Sequence, residues 1–149
     1  MRIRDLLERS GGELHTIACG LTVEDAIAMM AKADSSALIV LQGHKPVGIF
    51  SQRDVLRCYL RHKGRAFSEI PIDDAMTNKL IAVQPGEEVG TGLSTMMQSN
   101  ISHLPVIEGT RVLGMLTLRT LVRQQLGELA DTIEHLQQYI DDLHDGGND

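Results

Sequence analysis

The residues best placed to do chemistry are Ser51 and Asp54, within the run Gly48-Ile49-Phe50-Ser51-Gln52-Arg53-Asp54. Ser51 closes an apolar extended stretch and opens a helical one. Backbone N–H groups at such a start lack intrahelical partners, and the positive end of the helix dipole is exposed there. A phosphate fits such an end. Asp54, one turn in, projects from the same end, and a carboxylate there can accept hydrogen bonds from both hydroxyls of a ribose. The competing reading is a capping box, in which Ser51 and Asp54 satisfy one another and nothing else. Nearby, Arg53, Arg57, Arg61, Lys63 and Arg65 crowd one region; they form either a solvated helix face or a rim that attracts phosphates.

Other chemistries find little support. There is no HExxH, GxSxG or Walker A lysine motif, and the six histidines are scattered. His135 and His144 fall in an acidic tail as solvent-facing residues, while Met29, Met30, Met96 and Met97 suit packing better than metal binding. Cys19 and Cys58 stand in neither CxxC nor zinc-ligand spacing and read as reduced thiols. No catalytic residue, metal site or required cofactor is expected, so the chain is read as a non-enzyme.

The elements that must position Ser51 and Asp54 emerge from an internal repeat. Shifting the sequence by 66 residues aligns Leu14–Arg57 with Leu80–Arg123 without a gap. Gly20, Met30, Ser36, Gly43, Gly48, Arg53 and Arg57 then meet Gly86, Met96, Ser102, Gly109, Gly114, Arg119 and Arg123. In the first copy a short strand over His15–Cys19 precedes a helix with Val23, Ala26, Ile27 and Met30 on one face, capped by Thr22. Ala37–Leu41 and Val47–Phe50 form a hairpin about Gly43, and a second helix follows from about Gln52 with Val55, Leu56, Tyr59 and Leu60 on its apolar side. The second copy repeats this order through Ile81–Val83, Val89–Ser99, Leu104–Ile107, Val112–Leu116 and Leu118 onward. The expected fold is α/β (α+β): two pseudo-symmetric β-α-β-β-α motifs packed as one module, plus a C-terminal helix. Its organisation is an N-terminal segment (1–13), motif 1 (14–65), a linker and start of motif 2 (66–79), motif 2 (80–125), and an acidic helix and tail (126–149).

Composition fits a globular chain of 149 residues, with 42% hydrophobic and 23% charged residues. The net charge of −6 is local. Seven acids and no Lys or Arg lie between Gln124 and Asp149, whereas the other 123 residues carry 13 acids and 14 bases. That distribution disfavours a nucleic-acid partner. No apolar run has signal-peptide or membrane-spanning length, so a cytoplasmic protein without membrane contact is expected.

The order of elements, the repeat and its motifs resemble a tandem pair of cystathionine-β-synthase (CBS) domains of the stand-alone prokaryotic type. The resemblance rests on Gly48–Asp54, on Ser102-His103-Leu104-Pro105-Val106 and on Asp74-Ala75-Met76-Thr77, and covers roughly residues 14–125. It implies a regulatory module that binds an adenosine compound without chemistry: AMP, ADP or ATP first, S-adenosylmethionine or NAD(H) as further ligands. Carried over residue by residue, the main cleft would comprise Ser51, Arg53, Asp54, Thr77, Ile81, Ile101, Ser102 and His103. His103 has a competing role in bonding a loop carbonyl. A second cleft at His15, Ser36, Ala37, Thr117 and Thr120 is expected to be weaker, because Thr120 stands where the family has Asp and a neutral hydroxyl makes weaker bonds than a carboxylate. The partners implied are an adenine nucleotide, a second copy of the chain and a regulated protein of unknown identity. The alternative function is a structural dimerisation module with no physiological ligand.

Self-association is also expected from the C-terminal helix. From Val122 its apolar residues fall at Leu126, Leu129, Ile133, Leu136, Ile140 and Leu143, a seam of alternating four- and three-residue steps. The helix is expected either to fold back on its own chain or, in preference, to pack against the core of a partner copy.

Overall fold

A computed structural model describes residues 1–11 and 14–146. In chain order the elements are α1 (Ile3–Ser10), β1 (Thr16–Ala18), α2 (Val23–Ala33), β2 (Ala37–Gln42), β3 (Lys45–Ser51), α3 (Gln52–Arg61), a 3-10 turn (Phe67–Glu69), α4 (Ile72–Ala75), α5 (Val89–Ser99), β4 (His103–Glu108), β5 (Arg111–Thr117) and α6 (Leu118–Gly146). The repeat is visible in local detail. Asp34 and Asn100, 66 residues apart, both end their helices in the left-handed region, with φ of 50° and 53°. The β2/β3 and β4/β5 hairpins share one register, Ala37 facing Ser51 and His103 facing Thr117, and each carries an irregularity at the equivalent point, Val40/Leu41 and Val106/Ile107. Thr22 caps α2 as expected, accepting from the Asp25 amide at 3.2 Å while the Asp25 carboxylate returns the bond at 3.0 Å.

Two hydrophobic cores form, one per copy, and each is completed by a segment that precedes the other copy. Ile3 and Leu6 of α1 are buried with Val83, Met96, Leu104, Leu116 and Leu121. Ile70, Ile72 and Ala75 are buried with Ile17, Val23, Leu38, Phe50 and Cys58. Backbone bonds fasten both crossings: Ile3 N–H donates to Glu87 at 2.8 Å and Ile72 N–H to Leu21 at 2.7 Å. Since a motif of under about 60 residues buries little surface alone, this exchange joins the copies into one unit.

Three features differ from expectation. The strand expected over Ile81–Val83 is a single parallel bridge from Val83 to Val106, while Leu80 and Ile81 turn towards the space between the copies. On α3 the buried residues are Asp54 and Cys58, and Leu56, Tyr59 and Leu60 are exposed. Asp54 and Cys58 are four residues apart, so turning the Asp54 carboxylate inward rotates Leu56, Tyr59 and Leu60 outward, while Val55 still packs against the core. Finally, the separate C-terminal helix expected after motif 2 is continuous with it: α6 runs through Gly127 as one helix of 29 residues, and of its two expected placements folding back is not seen. Its apolar residues Leu126, Leu129, Ile133, Leu136, Ile140 and Leu143 lie more than half exposed.

Candidate functional site

The site is built on the β3–α3 junction. Ser51 is still extended (φ −119°, ψ 172°) and Gln52 begins the helix, so Asp54 reaches back over the start of α3. Its Oδ2 accepts from the Ser51 amide at 2.9 Å and from the Ser51 hydroxyl at 3.2 Å. Its Oδ1 accepts from the Thr77 hydroxyl at 2.8 Å. Arg57 Nη1 stands 3.7 Å away, close enough for attraction but not for a hydrogen bond. Among the described residues, Asp54 is the one charged side chain that is buried, at 3% exposure. A carboxylate has about four acceptor positions, and three donors occupy it here. The capping arrangement is therefore present, and one acceptor position remains.

Thr77 owes its place to Gly48. Ile49 and Thr77 exchange backbone bonds of 2.9 and 2.8 Å, which lay the connection between the copies along the edge of β3. A Cβ on Gly48 would stand 2.7 Å from Met76 Sδ and 2.8 Å from the Thr77 carbonyl oxygen. Only glycine admits that approach without displacing backbone.

A cleft of about 1110 Å³ opens in front of this junction, between the copies. Ser51, Arg53 and Asp54 line it from the first copy, Thr77 and Ile81 from the connection, and Ile101, Ser102 and His103 from the second. Of the basic cluster, Arg53 and Arg57 face the cleft, while Arg65 donates to the Glu69 carbonyl at 3.2 Å. Lys79 and Arg119 also line it and were missed in the sequence reading, although Arg119 is the repeat equivalent of Arg53. Four cations thus line the cleft that holds one carboxylate. Arg53 donates to the Asn100 carbonyl at 3.2 Å, across the copies.

His103 bonds a side chain and not a loop carbonyl: its Nε2 lies 2.6 Å from the Ser36 hydroxyl of the other copy. Burial lowers its pKa, and the positive charge of Arg53 lowers it further. The imidazole is therefore held towards its neutral form. This contact draws Ser36 into the same cleft, which Thr117 also lines. His15, Ala37 and Thr120 are not among the residues that line this cleft. Ala37 is fully buried in β2, the His15 carbonyl accepts from Ile39 N–H at 3.0 Å, and Thr120 Oγ1 lies 3.0 Å from Thr117 Oγ1. Thr117 and Thr120 repeat the Ser51/Asp54 cap without its charge. Cys19 and Cys58 are free, with burial raising both thiol pKa values. Among the described residues no group of His, Cys, Asp or Glu could hold a metal ion, and no helix is long and apolar enough to cross a membrane.

The family model described as "CBS domain" matches residues 3–61 and again 71–127. The chain belongs to the CBS-domain family. The first match begins in α1 and the second at α4, and together they take in both copies. The CBS domain-containing protein CBSX3, mitochondrial, of Arabidopsis thaliana is 32% identical over 124 residues, covering 80% of this chain. The chain spans 60% of that relative's length. Among solved structures, a CBS-domain protein of Agrobacterium tumefaciens superposes with a TM-score of 0.77 at 22% identity, covering 84% of this chain and 99% of that one. The CBS pair of protein MJ0100, in complex with 5′-methylthioadenosine and S-adenosyl-L-methionine, gives 0.72 at 22% identity, covering 86% and 98%. These two likenesses establish the fold: a tandem CBS pair of mixed α/β structure.

Proposed function

We propose that this CBS pair is a non-catalytic regulatory module whose cleft binds one adenosine phosphate per chain. The observation that carries the reading is the buried Asp54 carboxylate, oriented by Ser51 and Thr77, in a cleft that Arg53, Arg57, Lys79 and Arg119 also line. A ribose hydroxyl takes the remaining acceptor position of Asp54, and the phosphates lie towards the cations and the start of α3. Ile81 and Ile101, both half-buried, offer apolar surface to the base. Adenosine compounds in the MJ0100 pair support the same nucleoside class. The cation excess favours AMP, ADP or ATP over S-adenosylmethionine, whose sulfonium carries positive charge. The Thr117/Thr120 arrangement lacks a carboxylate, so a second nucleotide binds weakly or not at all. Regulation then passes to a protein partner through the relative placement of the copies, which the Ser36–His103 and Arg53–Asn100 contacts join.

The exposed Leu56, Tyr59 and Leu60 of α3 and Met97 of α5 favour burial against a second copy. That surface also supports the alternative of a dimerisation module without a ligand. A thermal-shift series with AMP, ATP, GTP and S-adenosylmethionine separates the two, since ligand at 100 times its Kd stabilises by about 2.7 kcal/mol. The nucleotide reading expects the largest shift with an adenosine phosphate and a calorimetric stoichiometry of one. No shift with any of them leaves the structural module.

A further inference from the structure

We infer that the C-terminal half of α6 is a self-recognition helix, which pairs with the same helix of a second copy as a parallel two-stranded coiled coil. The apolar residues set the heptad register: Leu126, Ile133 and Ile140 occupy a positions, and Leu129, Leu136 and Leu143 occupy d positions. All six are 55–60% exposed along a continuous helix, with only Leu121 buried near its start. Helices draw most of their stability from packing of an apolar face, and this face has no packing within the chain.

The charges identify the partner. Between Leu126 and Gly146 every acid lies at a b, c or f position: Glu128, Asp131, Glu134, Asp141, Asp142 and Asp145. The e and g positions beside the seam hold Ala130, Thr132, Gln137, Tyr139, His144 and Gly146, none of them Asp, Glu, Lys or Arg. Those positions select partners through interhelical salt bridges. A basic helix from another protein would find no acid there to pair with. An identical helix meets no like charge across the seam, despite its strongly acidic outer face. Gln137 and Gln138 donate to Asp141 and Asp142 at 3.2 Å, which holds two of these acids along the helix's own surface. This placement replaces the expectation that α6 lies on a partner's CBS core. Strand number follows from residue type, because within a parallel coiled coil Ile at a, here at two of three a positions, with Leu at every d favours two strands. Parallel pairing puts both CBS pairs at one end of a two-fold axis.

The test is a disulfide trap in the full chain. Leu143→Cys on a Cys19→Ser background places one thiol at the last d position, and Cys58 is too buried to react with a partner. Under oxidation this variant is expected to form a covalent dimer by itself on a non-reducing gel, and Cys19→Ser alone is not. Adding Ile133→Glu, a change at an exposed position, is expected to abolish the cross-link while leaving the thermal transition of the CBS pair in place. Light scattering is expected to show association that strengthens with added salt, because salt screens the acidic outer faces and there are no interhelical ion pairs to weaken. Three results would overturn the inference. One is a monomeric full-length chain. Another is cross-linking only when Leu143→Cys is mixed with Leu126→Cys, as an antiparallel pair requires. The third is association that weakens as salt rises.

Discussion

The Thr77 hydroxyl donates to Asp54 Oδ1 at 2.8 Å, joining the connection between the two CBS copies to the first turn of α3. Asp54 is thereby satisfied from two directions, by Ser51 on its own element and by a residue 23 positions further along the chain. The carboxylate is fixed before any ligand arrives. Its orientation depends on how closely the 76–77 segment lies against β3.

Gly48→Ala tests that dependence. The new Cβ would meet the Thr77 carbonyl oxygen at 2.8 Å, and that oxygen cannot retreat without breaking its bond from Ile49 N–H. Overpacking of this kind costs about 1–3 kcal/mol. Chemical denaturation should show a loss in that range, together with weaker binding of ATP, although residue 48 supplies no polar side-chain group. Unchanged stability and affinity would show that the Thr77 contact is not what orients Asp54.

Asp54→Ala removes the acceptor and strands the Ser51 amide and the Thr77 hydroxyl. Each buried polar group left unpaired costs about 1–3 kcal/mol, so the variant is expected to be less stable as well as unable to bind nucleotide. Asp54→Asn keeps the volume and one acceptor oxygen. It is expected to fold with a smaller penalty and still lose most affinity, as the charge-assisted bonds become neutral. Isothermal calorimetry beside a denaturation curve distinguishes these effects. Wild-type affinity in Asp54→Asn would reduce the residue to a helix cap.

Legibility in the sequence followed the range of the interactions. The 66-residue repeat, the hairpins about Gly43 and Gly109 and the Thr22 cap are local, and each could be derived from periodicity and turn chemistry. The Ser51–Asp54 pair was also visible, being a contact across three residues. The exchange of α1 and the 70–75 segment between the cores was not, because no local pattern in Ile3 or Ile70 says which copy each one joins. The outward rotation of Leu56, Tyr59 and Leu60 was hidden for the same reason: an apolar stripe at helical spacing does not say whether its cover comes from the same chain. Lys79 sits in irregular chain outside any repeat position that signals a site, whereas Arg119 could have been found by carrying Arg53 forward by 66 residues.

The four cations of the cleft predict a graded dependence on phosphate number. Arg57→Ala and Lys79→Ala remove exposed charges that face the cleft, and neither residue is buried in a core. ATP should lose more affinity than AMP in each, and adenosine should lose least. Raising the salt from about 0.05 to 0.5 M should narrow the difference between ATP and adenosine in the unaltered chain, since the screening length falls from about 14 Å to about 4 Å over that range. Competitive titration at two salt concentrations measures this. Equal losses for all three ligands would mean that the cations do not contact phosphate.

His103 gives the cleft a dependence on pH whose direction can be worked out. Burial and the neighbouring Arg53 lower its pKa in the folded chain below the ordinary value of 6.5. The unfolded chain therefore binds the proton more readily than the folded one over the interval between the lowered value and 6.5, and stability rises with pH across that interval. The full contribution is present above 6.5 and is lost as pH falls to the lowered value. The Ser36 hydroxyl in contact with it does not titrate in this range, so it does not reverse the sign. Thermal melts between about pH 7.5 and 5 should show the midpoint falling on acidification, and His103→Gln, which retains a polar group for Ser36, should fall less over the same range. Other titrating groups contribute equally to both proteins, so the difference between the two curves isolates His103. If that difference stays flat across the range, or opens in the opposite direction, the neutral His103–Ser36 link does not hold the two copies together.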